Sequence, residues 1–123
     1  MKRIAVWFTG CALSWGTAAA QTQKGGDIDG LSEWAQTGSA VSMPNDVTLA
    51  IGEPGALATQ GRVRVYRWNG LEWVQAGMDL VGDGSSEQFG FSVSMSDENT
   101  VAVGAPHEGT GRTRVFTLLN ARN

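Results

Sequence analysis

One phrase of this chain is written twice. Gly38–Pro54, GSAVSMPNDVTLAIGEP, lies under Gly90–Pro106, GFSVSMSDENTVAVGAP, without a gap, and eight of the seventeen positions are identical. The offset of 52 residues falls at the upper end of the spacing at which periodicity marks solenoids, propellers or arrays. After a loop shortened by two residues the echo continues, GRVRVY (61–66) becoming GRTRVF (111–116). A further echo pairs EWAQTG (33–38) with EWVQAG (72–77). A chain that repeats itself must fold into repeated units, and each unit must serve as the neighbour of the next.

The unit reads as four short strands. Phe91, Val93 and Met95 alternate with Ser92 and Ser94, the period of two expected of a half-buried strand. Ser96–Asn99 has turn chemistry, because short polar side chains bond the local backbone. TVAVGA (100–105) is apolar on both faces, as a central strand should be. RVRVYRW (62–68) and LEWVQAG (71–77) supply the third and fourth strands, joined at Asn69–Gly70. Asn-Gly favours a two-residue type I′ turn, which predicts Trp68 opposite Leu71, Arg67 opposite Glu72 and Tyr66 opposite Trp73. One face would then carry Tyr66, Trp68, Leu71 and Trp73, and the other Val63, Val65, Val74 and Ala76. Both are apolar, so the sheet needs cover on both sides. A sandwich sheet usually wets one face, whereas stacked propeller blades are covered twice. The expectation is an all-β protein of about two four-stranded antiparallel blades, an incomplete propeller, with units at about 38–88 and 90–117.

Phe89-Gly90 and Gly104-Ala105-Pro106 carry a family resemblance. The region from about Gly30 to Thr117 resembles FG-GAP repeats, the blade units of integrin α-subunit propellers and of many secreted microbial proteins. The resemblance implies structural roles for Phe89, Gly90, Gly104, Ala105 and Pro106 and for Gly38, Gly52 and Pro54 of the first copy, while turn chemistry gives Asn69 and Gly70 a structural role in the hairpin. The first copy departs from the pattern, with Thr37-Gly38 for Phe-Gly and Gly52-Glu53-Pro54 for Gly-Ala-Pro. Many family members hold calcium between the first two strands. Here those connections, Pro44–Asp46 and Ser96–Asn99, are too short to wrap oxygen ligands around the ion, and no cofactor is expected. Asp27-Ile28-Asp29-Gly30 reads as an acidic linker turn, since Gly25 and Gln36 stand where a calcium loop needs oxygen ligands.

The first twenty residues have the grammar of an export signal: basic Met1–Arg3, apolar Ile4–Leu13, and Ala18–Ala20 before a cleavage point at Gln21. Residues 21–30 follow as a linker and 31–123 as the repeat region. The only cysteine, Cys11, lies within the signal, so the processed chain would be stabilised without disulfides. Loss of Lys2 and Arg3 leaves seven basic residues against twelve acidic ones. An acidic surface disfavours nucleic acid, and no segment after the signal is apolar for long enough to span a bilayer. The expected localisation is secreted, periplasmic or extracellular.

Two units are fewer than the four to eight blades that close a propeller. The expectation is self-association or docking to complete one, or a piece of a longer propeller chain, with EWAQTG offered as a strand that completes the last blade. Between EWAQTG and SAVSM no counterpart of the linker MDLVGDGSSEQF is evident, which makes the first junction irregular. Chemistry is sparse. His107-Glu108 forms a possible interaction loop after Pro106, with Glu53 beside the corresponding loop. A lone histidine near carboxylates fits a solvated loop better than a general-base pair, and repetition accounts for Glu53 and Glu108 better than a two-carboxylate glycosidase does. Arg62, Arg64, Arg112 and Arg114 are expected on an outward or edge side of the third strands, and Trp73 and Tyr66 in the core. The resulting reading is a non-enzymatic binding or structural module for an unknown protein or glycan. The alternative is an accessory of a polysaccharide hydrolase or lyase.

Overall fold

The computed structural model describes residues 20–119, so residues 1–20, expected to be an export signal, lie almost wholly outside them. The described chain is all-β, with two antiparallel sheets of five and three strands. The first contains β1 (Ala40–Asn45), β2 (Thr48–Glu53), β3 (Arg62–Trp68), β4 (Trp73–Gln75) and β5 (Leu80–Val81). The second contains β6 (Ser92–Asp97), β7 (Thr100–Ala105) and β8 (Arg112–Thr117), in the order β6-β7-β8. β4 and β5 both pair with β3, so the fourth strand is two pieces along one edge, and β5 falls within what reads in sequence as linker. The second sheet has no fourth strand among the described residues and the first sheet has five, where about two four-stranded blades are expected from the sequence.

The copies fold alike down to their irregularities. β1–β2 pairs Ala40 with Gly52 and Ser42 with Ala50, then shifts register before Asn45–Thr48. β6–β7 repeats this as Ser92 with Gly104 and Ser94 with Ala102, shifting before Asp97–Thr100. In each turn an acid-amide or carboxylate oxygen takes the N–H two residues on, Asn45 from Val47 and Asp97 from Asn99.

The Asn69-Gly70 hairpin forms, but not with the expected turn. Trp68 pairs with Trp73, Arg67 with Val74 and Tyr66 with Gln75, two residues out from the predicted register. Asn69 Oδ1 accepts the N–H groups of both Leu71 and Glu72, and the Asn69 N–H donates to the Glu72 carbonyl. That side chain closes a four-residue loop with Gly70 at φ +103°, and Leu71 is left exposed at its tip. A shift of two preserves the faces, so Tyr66, Trp68 and Trp73 still share one side.

The sheets stack through β1 and β2 against β6. Ala50, Val63 and Val65 of the first sheet meet Met95, Val101, Val103 and Ala105 of the second, with Phe89 enclosed between them. The Met95 N–H donates to Ser42 Oγ across the gap at 2.9 Å. Phe91, expected to begin the buried alternation, precedes β6 and is 54% exposed.

EWAQTG is neither a strand nor an addition to the second sheet. Trp34 and Gln36 have φ of +68° and +60°, which breaks any extended run. Their counterparts 52 residues on, Ser86 and Gln88, have φ of +65° and +58°. The bonding matches as well. Gly55 N–H donates to the Ala35 carbonyl as His107 N–H does to Glu87, Gly38 to Gly52 as Gly90 to Gly104, and Ser39 to Gln36 as Phe91 to Gln88. The first junction is therefore regular: Trp34–Ser39 is the lead-in of the first copy, as Ser86–Phe91 is of the second. Sequence similarity aligned EWAQTG with the wrong segment, because backbone conformation, not side-chain identity, is what the lead-in repeats.

Candidate functional site

Two places concentrate unusual side-chain chemistry: the joint between the sheets and the loop end beside it. Phe89 is fully buried, its ring edge-on to Phe116 with centroids 5.9 Å apart. Its backbone runs beside Gly61 in a short parallel bridge, and the Phe89 and Gln88 N–H groups donate to the carbonyls of Gln60 and Thr59. Gly90, at φ +93°, presses against the first sheet, where an added Cβ would sit 2.6 Å from the Arg62 carbonyl oxygen. Gly52 faces the Gly90 carbonyl, and a side chain there would collide with it. The Phe-Gly pair thus locks the second copy onto the first, with glycine required where two backbones touch.

The equivalent positions at the outer ends meet no neighbouring unit. Gly38 has the same φ of +93°, but a Cβ there would meet nothing. Gly104 is hemmed only by Ser92 of its own sheet, and Gly111, the counterpart of Gly61, only by Pro106. Ala105 is buried in the core, Pro54 is buried and Pro106 is exposed.

Glu53 is fully buried and engaged by two guanidiniums. Arg62 Nη2 lies 3.0 Å from Oε1, and Arg64 Nε bonds Oε2. Thr37 Oγ1 donates to Oε1 at 3.0 Å, Arg64 Nη1 donates to the Tyr66 hydroxyl, and Arg64 Nη2 donates to the Asp29 carbonyl at 2.9 Å. The expectation that Arg62 and Arg64 lie on an outward or edge side is overturned, since they are 6% and 3% exposed. Glu53 stands where the second copy has Ala105, and the carboxylate is what makes burial of both guanidiniums tolerable. Burial holds the Tyr66 hydroxyl above its ordinary pKa, against the lowering influence of Arg64.

The second copy meets the same need from the loops. Glu108 lies 2.8 Å from Arg112 and 3.1 Å from Arg114, and Asp83 lies 2.7 Å from Arg114. Glu53 and Glu108 thus serve the third-strand arginines of their own copies, while Asp83, from the segment that joins the copies, adds a second carboxylate to Arg114. Glu53 has no face open to a substrate, which removes it from any acid-base pair with His107. His107 is exposed, and its backbone N–H is bonded to the Glu87 carbonyl. Buried Glu87, whose Oε2 accepts the Gly84 N–H, had no signal in the sequence. Glu53 had one, an acid in the slot that the second copy fills with alanine.

The outward face of the first sheet is partly covered by the N-terminal segment, which is therefore no free linker. Gly25 packs on Trp68 and Trp73, the Trp73 Nε1–H donates to the Lys24 carbonyl, and the Lys24 ammonium lies 5.2 Å from the Trp68 ring centre. Asp27 and Asp29 are exposed, and the Asp27 carboxylate accepts the Gln23 amide at 2.8 Å. No helix among the described residues is long and apolar enough to cross a membrane.

Around the joint, the lead-in at Trp34, the β2–β3 loop (54–61), the 82–88 loop and the β7–β8 loop (106–111) form one continuous end. Gln60 Nε2 donates to Gly82, Thr59 Oγ1 donates to Ser86, and Arg114 reaches Asp83 and Glu108. Trp34 is 84% exposed there and Leu57 48%. The arrangement can present aromatic, apolar and imidazole groups on a rigid base, and its carboxylates are committed to arginines. No protein-family model matches the chain, and no curated protein matches it.

Proposed function

We propose that this chain is an exported binding or structural module built from two FG-GAP-like propeller-blade units, which engages a protein or glycan through the loop end at Trp34, Leu57 and His107-Glu108. The observation that carries this reading is the repeated lead-in and joint, which hold four connecting loops at one end of a rigid stack while leaving Trp34, Leu57 and His107 exposed. Exposed aromatic and apolar groups on well-anchored loops suit recognition, tryptophan above all, since its flat face stacks on sugars and on peptide side chains alike. The buried Glu53 favours this reading over a hydrolase accessory, because the carboxylate beside the first copy's equivalent of the His107 loop is held inside an ion-pair network.

The test is an array of extracellular glycans and matrix proteins probed with the purified protein and with Trp34→Ala and His107→Ala variants. Both side chains are exposed, so folding should persist, and binding to a specific array member should fall in the loop variants. Binding that is indifferent to both substitutions would overturn the reading. So would turnover of a polysaccharide that disappears with His107→Ala.

A further inference from the structure

β1 and β6 share the sequence V-S-M at Val41–Met43 and Val93–Met95, yet they bury opposite residues. In β6, Met95 is 7% exposed and packs on the first sheet, while Ser92 and Ser94 are exposed. In β1, Val41 is 59% and Met43 51% exposed, while Ala40 and Ser42 face the second sheet. The same inversion holds in the third strands. Val65 of β3 is 2% exposed beneath the second sheet, and its counterpart Val115 is 67% exposed. One internal joint therefore uses the valine-methionine side of the second copy and the Ser42–Ala50–Gly52–Val65 side of the first. The unused surfaces are the two complements: Val41 and Met43 on the first copy, and Ser94, Ala102, Gly104 and Val115 on the second.

We infer that a second copy of this chain docks head to tail across these faces, with Val41, Met43 and the Thr37-Gly38 lead-in of one protomer seated on Ser94, Gly104, Gly111 and Val115 of its partner. This rests on reading the two sheets as consecutive units of one repeat; it is independent of the ligand at the loops. The internal joint supplies the geometry. Gly111 is open where Gly61 receives Phe89, Gly104 is overhung only by the exposed Ser92 side chain where Gly52 receives Gly90, and Gly38 holds the φ of Gly90 with nothing yet against it. The N-terminal segment covers the Glu53–Arg64 and Trp68–Trp73 side of the first copy's face but leaves Val41 and Met43 of β1 exposed. Its Trp34–Ser39 portion is the counterpart of Ser86–Phe91, which runs alongside the internal joint without filling it. A heterologous contact of this kind continues until it closes a ring or forms an open filament. Closure at propeller size needs about two to four copies.

The experiment is multi-angle light scattering over a concentration series on protein purified from expression of the full chain, alongside Met43→Arg and Val115→Arg. Each substitution places charge on one face only, at a position already exposed, and near-ultraviolet circular dichroism checks that tryptophan packing is retained. The wild type should assemble and each variant alone should be monomeric. An equimolar mixture should form a heterodimer and nothing larger, because one intact face of each kind remains between the two. A wild type that stays monomeric at every concentration overturns the inference. So does an assembly that survives either substitution, or a mixture that yields no heterodimer. The array variants at Trp34 and His107 are also run by light scattering, so loss of binding and loss of assembly are read separately.

Discussion

Gly38 and Gly90 share a φ of +93° and differ only in what stands opposite, so the same substitution at each separates backbone strain from packing. Gly38→Ala should cost about 1–2 kcal/mol, the strain of a side chain at positive φ. Gly90→Ala adds an overpacked contact with the Arg62 carbonyl and should cost about 3 kcal/mol or more. Urea unfolding of both variants measures the difference, and equal losses would mean that the Phe-Gly joint is not the close contact described. Glu53→Gln should be the most damaging polar change, on the order of 3–5 kcal/mol, because it leaves two buried guanidiniums short of a counter-charge. Glu108→Gln, whose partners are better hydrated, should cost under about 1 kcal/mol. The single tyrosine offers a direct titration. Burial favours the neutral phenol in the folded protein, so absorbance at 295 nm should rise at a pH above the ordinary 10.0, and should return to it in denaturant. Its stabilising contribution is complete below pH 10 and is lost as pH climbs from there through the folded pKa, because the unfolded chain releases the proton first. Tyr66→Phe should flatten that part of the stability profile.

The strands themselves were legible because alternation and turn residues are local signals, and the Gly38–Pro54 duplication fixed where each hairpin would recur. The Asn69 loop shows where local signals stop. Asn-Gly does mark the hairpin, but the Asn69 side chain satisfies two N–H groups at once and holds a longer loop than the dipeptide alone implies. Asn69→Ala should therefore destabilise the β3–β4 hairpin by about 1 kcal/mol, the usual cost of losing such a bond. Hydrogen exchange at Leu71 and Glu72 would register the loss. The β2–β3 loop is less legible still. Ala56–Thr59 forms a left-handed turn, with Leu57, Ala58 and Thr59 at φ of 55°, 56° and 65°, and nothing in GALATQG announces it. Non-glycine residues hold such a turn at about 1–2 kcal/mol apiece. Exposed Ala58 replaced by glycine should raise the melting temperature, and a fall would show that the turn is not strained there. The lead-in escaped notice for the opposite reason: Trp34–Ser39 and Ser86–Phe91 repeat positive φ angles and carbonyl bonds, which few side chains encode.

As a whole the molecule is a stack of two related sheets whose two end surfaces are the two halves of its middle. Residues 24–37 finish part of one end, and the Lys24–Trp68–Trp73 clamp is the contact that holds them. Lys24→Glu should loosen that segment and shift tryptophan emission to longer wavelength while the sheets persist, since the clamp lies outside the main core. An unchanged spectrum would place the ammonium away from the rings. The ladders also set an order of events. Nearly every strand pairs with one close by in the chain, whereas the joint reaches as far as Ser42 to Met95, 53 residues apart. Hairpins of that kind close in microseconds, and the two sheets must then meet by diffusion of a tethered pair. Docking is expected to be the late step, with the contacts of Gly90 and Phe89 forming after the barrier. Lesions there should leave the refolding rate nearly intact and shorten the lifetime of the native state.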